Sequence, residues 1–188
     1  MSSLPPRLTS PRLLLRPWQP EDRPRFEQAV EESFDHLRPW LPWARVPLEE
    51  QWSELEGFLR KPETAHDVLY AVFDATDSTV LGGIGVHHRG TDEEREIGYW
   101  LHCDAVGRGY MTEAVEVVMA AIFEALPITA IIIICDPANV RSAGVPQRLG
   151  FENTGIFPPK VITPDRMEDM IWRITREAWL RRNQTRGT

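Results

Sequence analysis

The stretch Glu94-Arg95-Glu96-Ile97-Gly98-Tyr99-Trp100-Leu101-His102-Cys103, continued by Asp104-Ala105-Val106-Gly107-Arg108-Gly109-Tyr110-Met111-Thr112-Glu113-Ala114, decides the fold. Its first half reads as a strand, with Ile97, Tyr99 and Leu101 on an apolar face and Glu94, Glu96, Gly98 and Trp100 on the other. Its second half turns at two glycines and enters a helix predicted over Thr112 to Leu126, where Val115, Val118, Met119, Ile122 and Leu126 form one apolar stripe. Pro127 ends that helix. The first amides of a helix have no partner within it. Together with the helix dipole they form an anion site. Gly107 and Gly109 permit close backbone approach, and Arg108 adds positive charge. A coenzyme carrying a diphosphate fits this combination.

Upstream, Val68 to Asp74 and Thr79 to His88 read as strands around the turn Asp74 to Ser78, and a second turn spans Gly90 to Glu93. The strand Glu94 to Cys103 is therefore the third of a meander. Arg12 to Pro17 is a Leu-rich first strand. After Pro20, the residues Phe26, Val30, Phe34 and Leu37 share one helix face. Pro39 and Pro42 then prevent regular helix, and a second helix is predicted over Leu48 to Lys61, with Leu48, Trp52, Leu55 and Leu59 on one side. Downstream, Ala130 to Cys135 is a continuous apolar strand of the kind covered on both faces. A turn and a short helix closed by Gly150 follow, and then a hairpin over Thr154 to Ile162 and Met167 to Arg176. The order β-α-α-β-β-β-α-β-α-β-β predicts a mixed α/β fold, with residues 1–188 as a single domain. A chain of 188 residues buries roughly 70% of its unfolded surface, enough for a core without metals or disulfides.

A net charge of −7 argues against a broad nucleic-acid surface. Cys103 and Cys135 lie in apolar strand contexts and are expected as buried free thiols, and no Cys/His spacing suggests a metal site. The N-terminus lacks an apolar signal region, and the apolar run Ile128 to Cys135 is far shorter than the ~20 residues of a membrane span. These features predict a cytoplasmic protein. Gly82-Gly83-Ile84-Gly85 is not a dinucleotide fingerprint, because no helix follows it. The glycine turn at 107–109 follows a meander rather than the first strand of an alternating parallel unit, which argues against a dinucleotide-dependent oxidoreductase. His87 and His88 point to opposite faces of their strand, a placement suited to a surface or a substrate cleft rather than to one shared metal.

Five segments in order resemble the GNAT superfamily of acyl-CoA-dependent N-acetyltransferases, and within it the RimJ/RimL-type branch that acetylates protein N-termini, including those of ribosomal proteins. They are Leu8 to Pro17, His36 to Trp43, Ile97 to Leu101, Arg108 to Ala114, and Asn139 and Ser142 with Leu149-Gly150-Phe151. The resemblance implies a central, mostly antiparallel sheet flanked by helices, with splayed strands forming an acyl-CoA cleft. It implies acetyl-CoA as co-substrate, no metal, and a primary amine as acceptor, foremost a protein or peptide α-amine. A polyamine- or aminoglycoside-type acceptor, or a non-catalytic acyl-CoA-binding module, are the alternatives. A homodimer through the late hairpin is a further expectation. Two positions depart from the family pattern. The turn usually written Gln/Arg-x-x-Gly-x-Gly/Ala has Val106 first and Met111 last. Pro146 stands near the place where many members carry a tyrosine acid.

The reaction needs a deprotonated amine, stabilisation of an oxyanion, and a proton for the leaving thiolate. An α-amine, with a pKa of about 7.7–8.0 against about 10.4 for lysine, needs only a mild base. Glu96, on the less apolar strand face and near a glutamate used by several members, is the candidate base. The resemblance assigns the backbone of Trp100, Leu101 and His102 to the thioester and pantetheine. It assigns Val106, Gly107, Arg108, Gly109, Tyr110, Met111 and Thr112 to the diphosphate. Ser142 is the implied proton donor or sulfur-side hydrogen bond, and Asn139 a coenzyme contact; helix capping and turn formation are their ordinary alternatives. Trp40, Trp43 and His87 are candidates for the acceptor pocket.

Overall fold

The computed structural model describes residues 3–60, 67–88, 91–159 and 168–186. Eight strands form one sheet: β1 (Leu8–Thr9), β2 (Leu13–Pro17), β3 (Val68–Asp74), β4 (Val80–His87), β5 (Glu94–Leu101), β6 (Ala130–Cys135), β7 (Glu152–Phe157) and β8 (Asp169–Thr175). Their order is β1-β2-β3-β4-β5-β6-β8-β7. All neighbours are antiparallel except β5 and β6. A parallel pair requires a long crossover, supplied here by the glycine turn and helix α4 (Tyr110–Ala125). This is the mixed α/β fold predicted from the element order, with the mostly antiparallel sheet that the resemblance implies.

Strand alternation divides the molecule into layers. Leu13, Leu15, Val72, Ile84, Val86 and Ile97 face α4 and pack on Val115, Val118, Met119 and Ile122. Leu14, Ala71, Phe73 and Val80 face the opposite layer, where α1 (Arg23–Glu32) and α3 (Leu48–Leu59) contribute Phe26, Val30 and Trp52. β6 is apolar throughout because it is covered on both sides, as its sequence predicts. Cys135 is buried, Cys103 half-buried, and both are free thiols.

Several expected boundaries move, each for a local reason. The helix face Phe26 to Leu37 is broken at Ser33, which leaves helical geometry at φ −101°, ψ 5° and separates α1 from α2 (Phe34–Leu37). Buried Ser33 accepts a hydrogen bond from the Cys103 amide at 3.0 Å, so a contact 70 residues away overrides the local period. Phe34 consequently points to solvent. The third meander strand ends at Leu101, because His102 caps a short 3-10 turn over Cys103–Ala105 by accepting from the Asp104 amide. α4 begins two residues earlier than its apolar stripe suggests, with Gly109 as N-cap. The helix α5 (Val140–Leu149) ends at Gly150 in the left-handed region, φ 81°, as its sequence implies.

The C-terminal helix α6 (Arg176–Arg186) has no counterpart in the sequence reading. It is polar on most sides, so periodicity does not reveal it. It is held by Trp179, stacked on Phe123 at 6.2 Å. Arg176 also donates to the carbonyls of Phe123, of Leu126 (2.5 Å) and of Ile128 (2.9 Å), satisfying the C-terminal end of α4. Lys61, Gly90 and the tip of the late hairpin lie outside the described residues.

Candidate active site

The site is built around the outer half of β5. Parallel pairing of β5 with β6 covers only Glu94↔Ala130, Arg95↔Ile131 and Glu96↔Ile132, and then stops. Pairing with β4 on the other side continues to Gly82↔Leu101. From Ile97 onward β5 therefore diverges from β6 and the sheet is split. The ladder alternates, so the peptide groups on each side can be assigned. The His102 amide donates to Leu81 O at 2.9 Å, which places even-numbered residues as the hydrogen-bonded partners of β4. The amides of Tyr99 and Leu101 point the other way, into the split. The Leu101 amide thus faces the opening, whereas those of Trp100 and His102 are turned toward β4.

The turn after β5 presents the N-terminus of α4. Gly107 and Gly109 adopt left-handed conformations at φ 79° and 80°. A Cβ at Gly107 would meet nothing within 4 Å, so the backbone lies open there. Arg108 is exposed, Val106 and Thr112 half-buried, and Met111 buried in the core, so Met111 can offer only its backbone. Arg12, from the hairpin between β1 and β2, donates to Arg108 O at 3.0 Å and lies 4.7 Å over the Tyr110 ring. Its guanidinium pairs with Glu113 at 2.5 Å, and Ser10 donates to the same carboxylate at 2.6 Å. Burial pushes the Glu113 carboxyl up, but the hydrogen bonds from Ser10 and Arg12 hold it below its ordinary range. The turn therefore offers free helix amides flanked by two arginines, with its nearest carboxylate paired. An anionic diphosphate fits these donors.

Across the split stands the start of α5. Asn139 is its N-cap, accepting from the Ser142 amide at 3.1 Å. Ser142 Oγ is 3.3 Å from the Tyr99 hydroxyl, which donates to the Ser142 carbonyl at 2.9 Å. Burial pushes the Tyr99 phenol well above its ordinary value, so it stays protonated at neutral pH. Tyr99 thus bridges β5 to α5 where the ladder is open. Sequence reading assigned Tyr99 only to the apolar face; its one signal was a hydroxyl in an otherwise apolar row. Pro146 is buried inside α5 and has no proton to give.

On the α1/α3 face of the same strand is a pocket of about 370 Å³ lined by Trp18, Phe26, Leu41, Trp43, Gln51, Glu54, Leu55, Phe58, Leu69, His87, Gly98, Tyr99 and Trp100, with Gly83 and Gly85 on β4. Trp43 stands edge-on to Trp100, with ring centroids 5.9 Å apart. Of the three acceptor-pocket candidates, Trp43 and His87 line it, and Trp40 does not. Glu96 pairs in register with His87 and stands at the last rung before the split, on the same strand face as Gly98 and Trp100. It is half-buried. His102 instead lines a second hollow of about 410 Å³, between α1, the start of β4 and the turn. His102, Cys103 and Asp104 bring ligand-type atoms within 4.8 Å of one another. Both ring nitrogens of His102 are already engaged, Nδ1 by the Asp104 amide and Nε2 at 2.9 Å from Glu32.

A mostly antiparallel sheet whose strands splay beside a glycine turn is the fold implied by the five resembling segments. The family profile described as an acetyltransferase (GNAT) domain matches residues 12–152, more than half of the chain. The chain belongs to the GNAT acetyltransferase family. It is an N-acetyltransferase, and acetyl-CoA is its co-substrate. "Probable N-acetyltransferase YjcK" of Bacillus subtilis (strain 168) is 30% identical over 140 residues, covering 73% of each chain. "Putative ribosomal N-acetyltransferase YdaF" of the same organism is 25% identical over 157 residues, covering 76% of this chain and 79% of that one. Among solved structures, RimL, a ribosomal L7/L12 α-N-protein acetyltransferase in complex with coenzyme A, superposes with a TM-score of 0.81 at 20% identity, covering 92% of this chain and 99% of that one. The microcin C7 self-immunity acetyltransferase MccE, in complex with acetyl-CoA and AMP, also gives 0.81, at 16% identity, over 92% and 98%. At these identities the structural likeness is one of fold.

Proposed function

We propose that this GNAT acetyltransferase transfers the acetyl group of acetyl-CoA to the α-amine of a protein or peptide N-terminus. The observation that carries the reading is the end of the β5–β6 ladder at Glu96 and Ile132, with the amide turn on one side and the aromatic pocket on the other. The names of the relatives YdaF and RimL, which refer to ribosomal proteins, support the choice of acceptor. What acetyl-CoA supplies is a thioester already activated toward an amine.

The chain's own groups then have separate tasks. The amides at Gly107 to Thr112, with Arg108 and Arg12, hold the diphosphate at the N-terminus of α4. The amides of Tyr99 and Leu101 hold the thioester oxygen; such a donor is worth about 3–4 kcal/mol once the oxygen becomes an oxyanion. Glu96 takes the amine proton, directly or through water. Ser142 Oγ gives a proton to the leaving thiolate, and Tyr99, 3.3 Å behind it, orients that hydroxyl. Ser142 thereby assumes the task that Pro146 cannot perform. Asn139 serves by holding the first turn of α5, and with it Ser142, at the split.

Glu54 in the pocket lining favours a second reading, in which the acceptor is a small cationic amine. We place the protein in the cytoplasm, where Cys103 and Cys135 stay reduced. We further propose a homodimer through β7, an edge strand of the sheet with Ile156 and Phe157 exposed. A thiol-release assay with acetyl-CoA against short peptides, polyamines and aminoglycosides tests the function. Release with peptides at rates well above background supports it. Release with small amines alone selects the second reading, and tight coenzyme binding without release from any acceptor makes the chain an acyl-CoA-binding module.

A further inference from the structure

The glycine run Gly82-Gly83-Ile84-Gly85 lies on β4, on the side of β5 away from the split, and from Gly83 to Gly85 it lines the aromatic pocket. Gly83 pairs in register with Trp100, and Gly85 with Gly98. A Cβ at Gly83 would lie 2.5 Å from Trp100 Nε1, and one at Gly85 would lie 2.4 Å from His87 Nε2. The missing side chains let Trp100 and His87 lie across the strands. At Gly98 the case differs: the nearest atom to an added Cβ is His87 Nε2, at 3.9 Å. The floor of the pocket is therefore laid by the Trp100 and His87 rings over glycine backbone, with only ordinary contact above Gly98, and its walls are Trp43 and Phe26.

We infer that this hollow takes a large apolar group, best an aromatic ring, attached next to the acceptor's amine. The inference rests on the acetyltransferase reading and narrows its substrate class. The volume of about 370 Å³ lies in the range of sites that engulf small apolar groups. A hydroxymethyl or methyl group beside the amine would leave most of it as wet apolar surface. An aromatic ring meets aromatic walls on Trp43 and Trp100, an arrangement such pairs favour. Among the described residues, Glu54 is the one carboxylate lining the hollow, and it is exposed, so its charge stands at the rim while the walls are aromatic. Gly98 and Trp100 belong both to the hollow and to the strand beside the split, so a group seated here holds its neighbouring amine against the thioester side of β5.

The test compares acetyl-CoA-dependent thiol release for peptides that differ only in their first residue, namely Ser, Ala, Leu, Phe and Trp. A single methylene in an apolar pocket discriminates by about 10–200-fold. Phe and Trp are expected to exceed Ser in kcat/KM by at least about tenfold. Gly98→Val, whose Cβ would stand in ordinary contact with His87 Nε2 at 3.9 Å and whose methyls would occupy the hollow, should lower the Phe-to-Ser ratio by at least about tenfold, while circular dichroism shows a native fold. A parallel measurement needs no turnover: in the presence of coenzyme A, phenylalanine amide should quench tryptophan fluorescence at lower concentration than alanine amide, and Gly98→Val should abolish the difference. A preference for Ser or Ala, or a ratio that Gly98→Val leaves unchanged, overturns the inference. If no peptide is acetylated, the function reading fails; the fluorescence comparison then decides the pocket alone, and equal quenching by the two amides overturns it.

Discussion

Replacing Gly109 with valine tests the coenzyme turn without disturbing packing. Gly109 has φ 80° at the N-cap of α4, and an added Cβ would meet only Arg12 Nη2, at an ordinary 3.5 Å. The cost is therefore conformational. An L-residue in the left-handed region is penalised by about 1–2 kcal/mol, and a β-branched one is a marked outlier there. Gly109 is exposed, so the free turn relaxes away from this geometry and the peptides at 107–110 rotate. Coenzyme then has to restore the native turn, and the penalty appears in binding as a loss of about 5–30-fold. Gly150→Val is the control. Gly150 has φ 81° and its Cβ would meet Arg182 Cδ at 3.6 Å, so the strain is matched, but it sits at the far end of α5 from Ser142. Thermal unfolding should show a fall of about 2–8 °C for Gly150→Val, with unchanged affinity for coenzyme A by calorimetry. Gly109→Val should weaken that affinity. If both variants bind coenzyme A as the parent does, the α4 amides do not hold the diphosphate and the reasoning fails.

Three further outcomes follow from the same geometry. Glu96→Gln should lower turnover most below pH 7 and progressively less as pH rises past the α-amine pKa of about 8, where the reactant loses its proton unaided; a pH–rate profile parallel to the parent's would put the base elsewhere. Ser142→Ala and Tyr99→Phe act on one hydrogen-bonded pair, so their effects on kcat should not add in a double-mutant cycle; strict additivity would separate them. Asp74 closes the β3–β4 turn by accepting from the amides of Ser78 and Thr79 at 2.8 and 2.9 Å. Burial pushes its carboxyl up, but these bonds and that from Thr76 lower it from an ordinary 3.8 to about 2. A depressed carboxylate stabilises the fold fully above its unfolded pKa and ceases to as pH falls through the folded one, so Asp74→Asn should flatten the stability curve between about pH 4 and 2. Denaturant midpoints across that window check it, and a slope equal to the parent's would contradict the assignment.

The order of the elements between β2 and β8, and the glycine turn among them, were legible because they are written in local terms. Two-residue alternation, a helical stripe, Pro127 and paired glycines act within a few residues of where they stand, and the family pattern spans them. Ser33 shows where local reading stops, since its contact with Cys103 breaks a helix that the periodicity alone continues. Arg12 was missed because its partner Glu113 is 101 positions away, and neither residue carries a sign of the other. α6 was missed because one buried tryptophan and a capping arginine hold it, not a periodic face.

The sequence by itself determined that a strand would run through a glycine turn into a helix whose first amides lie at an exposed end. It also determined the likeness to one acyltransferase superfamily. The tertiary structure alone decided where β5 leaves β6, which amides face that gap, how Tyr99 reaches Ser142, and that the glycines of two strands let Trp100 and His87 lie across the floor of a hollow beside Trp43. The physical reason is that each of these depends on the register between strands. A shift of one residue exchanges the faces and the donors of a strand, and register is set by packing across the whole sheet.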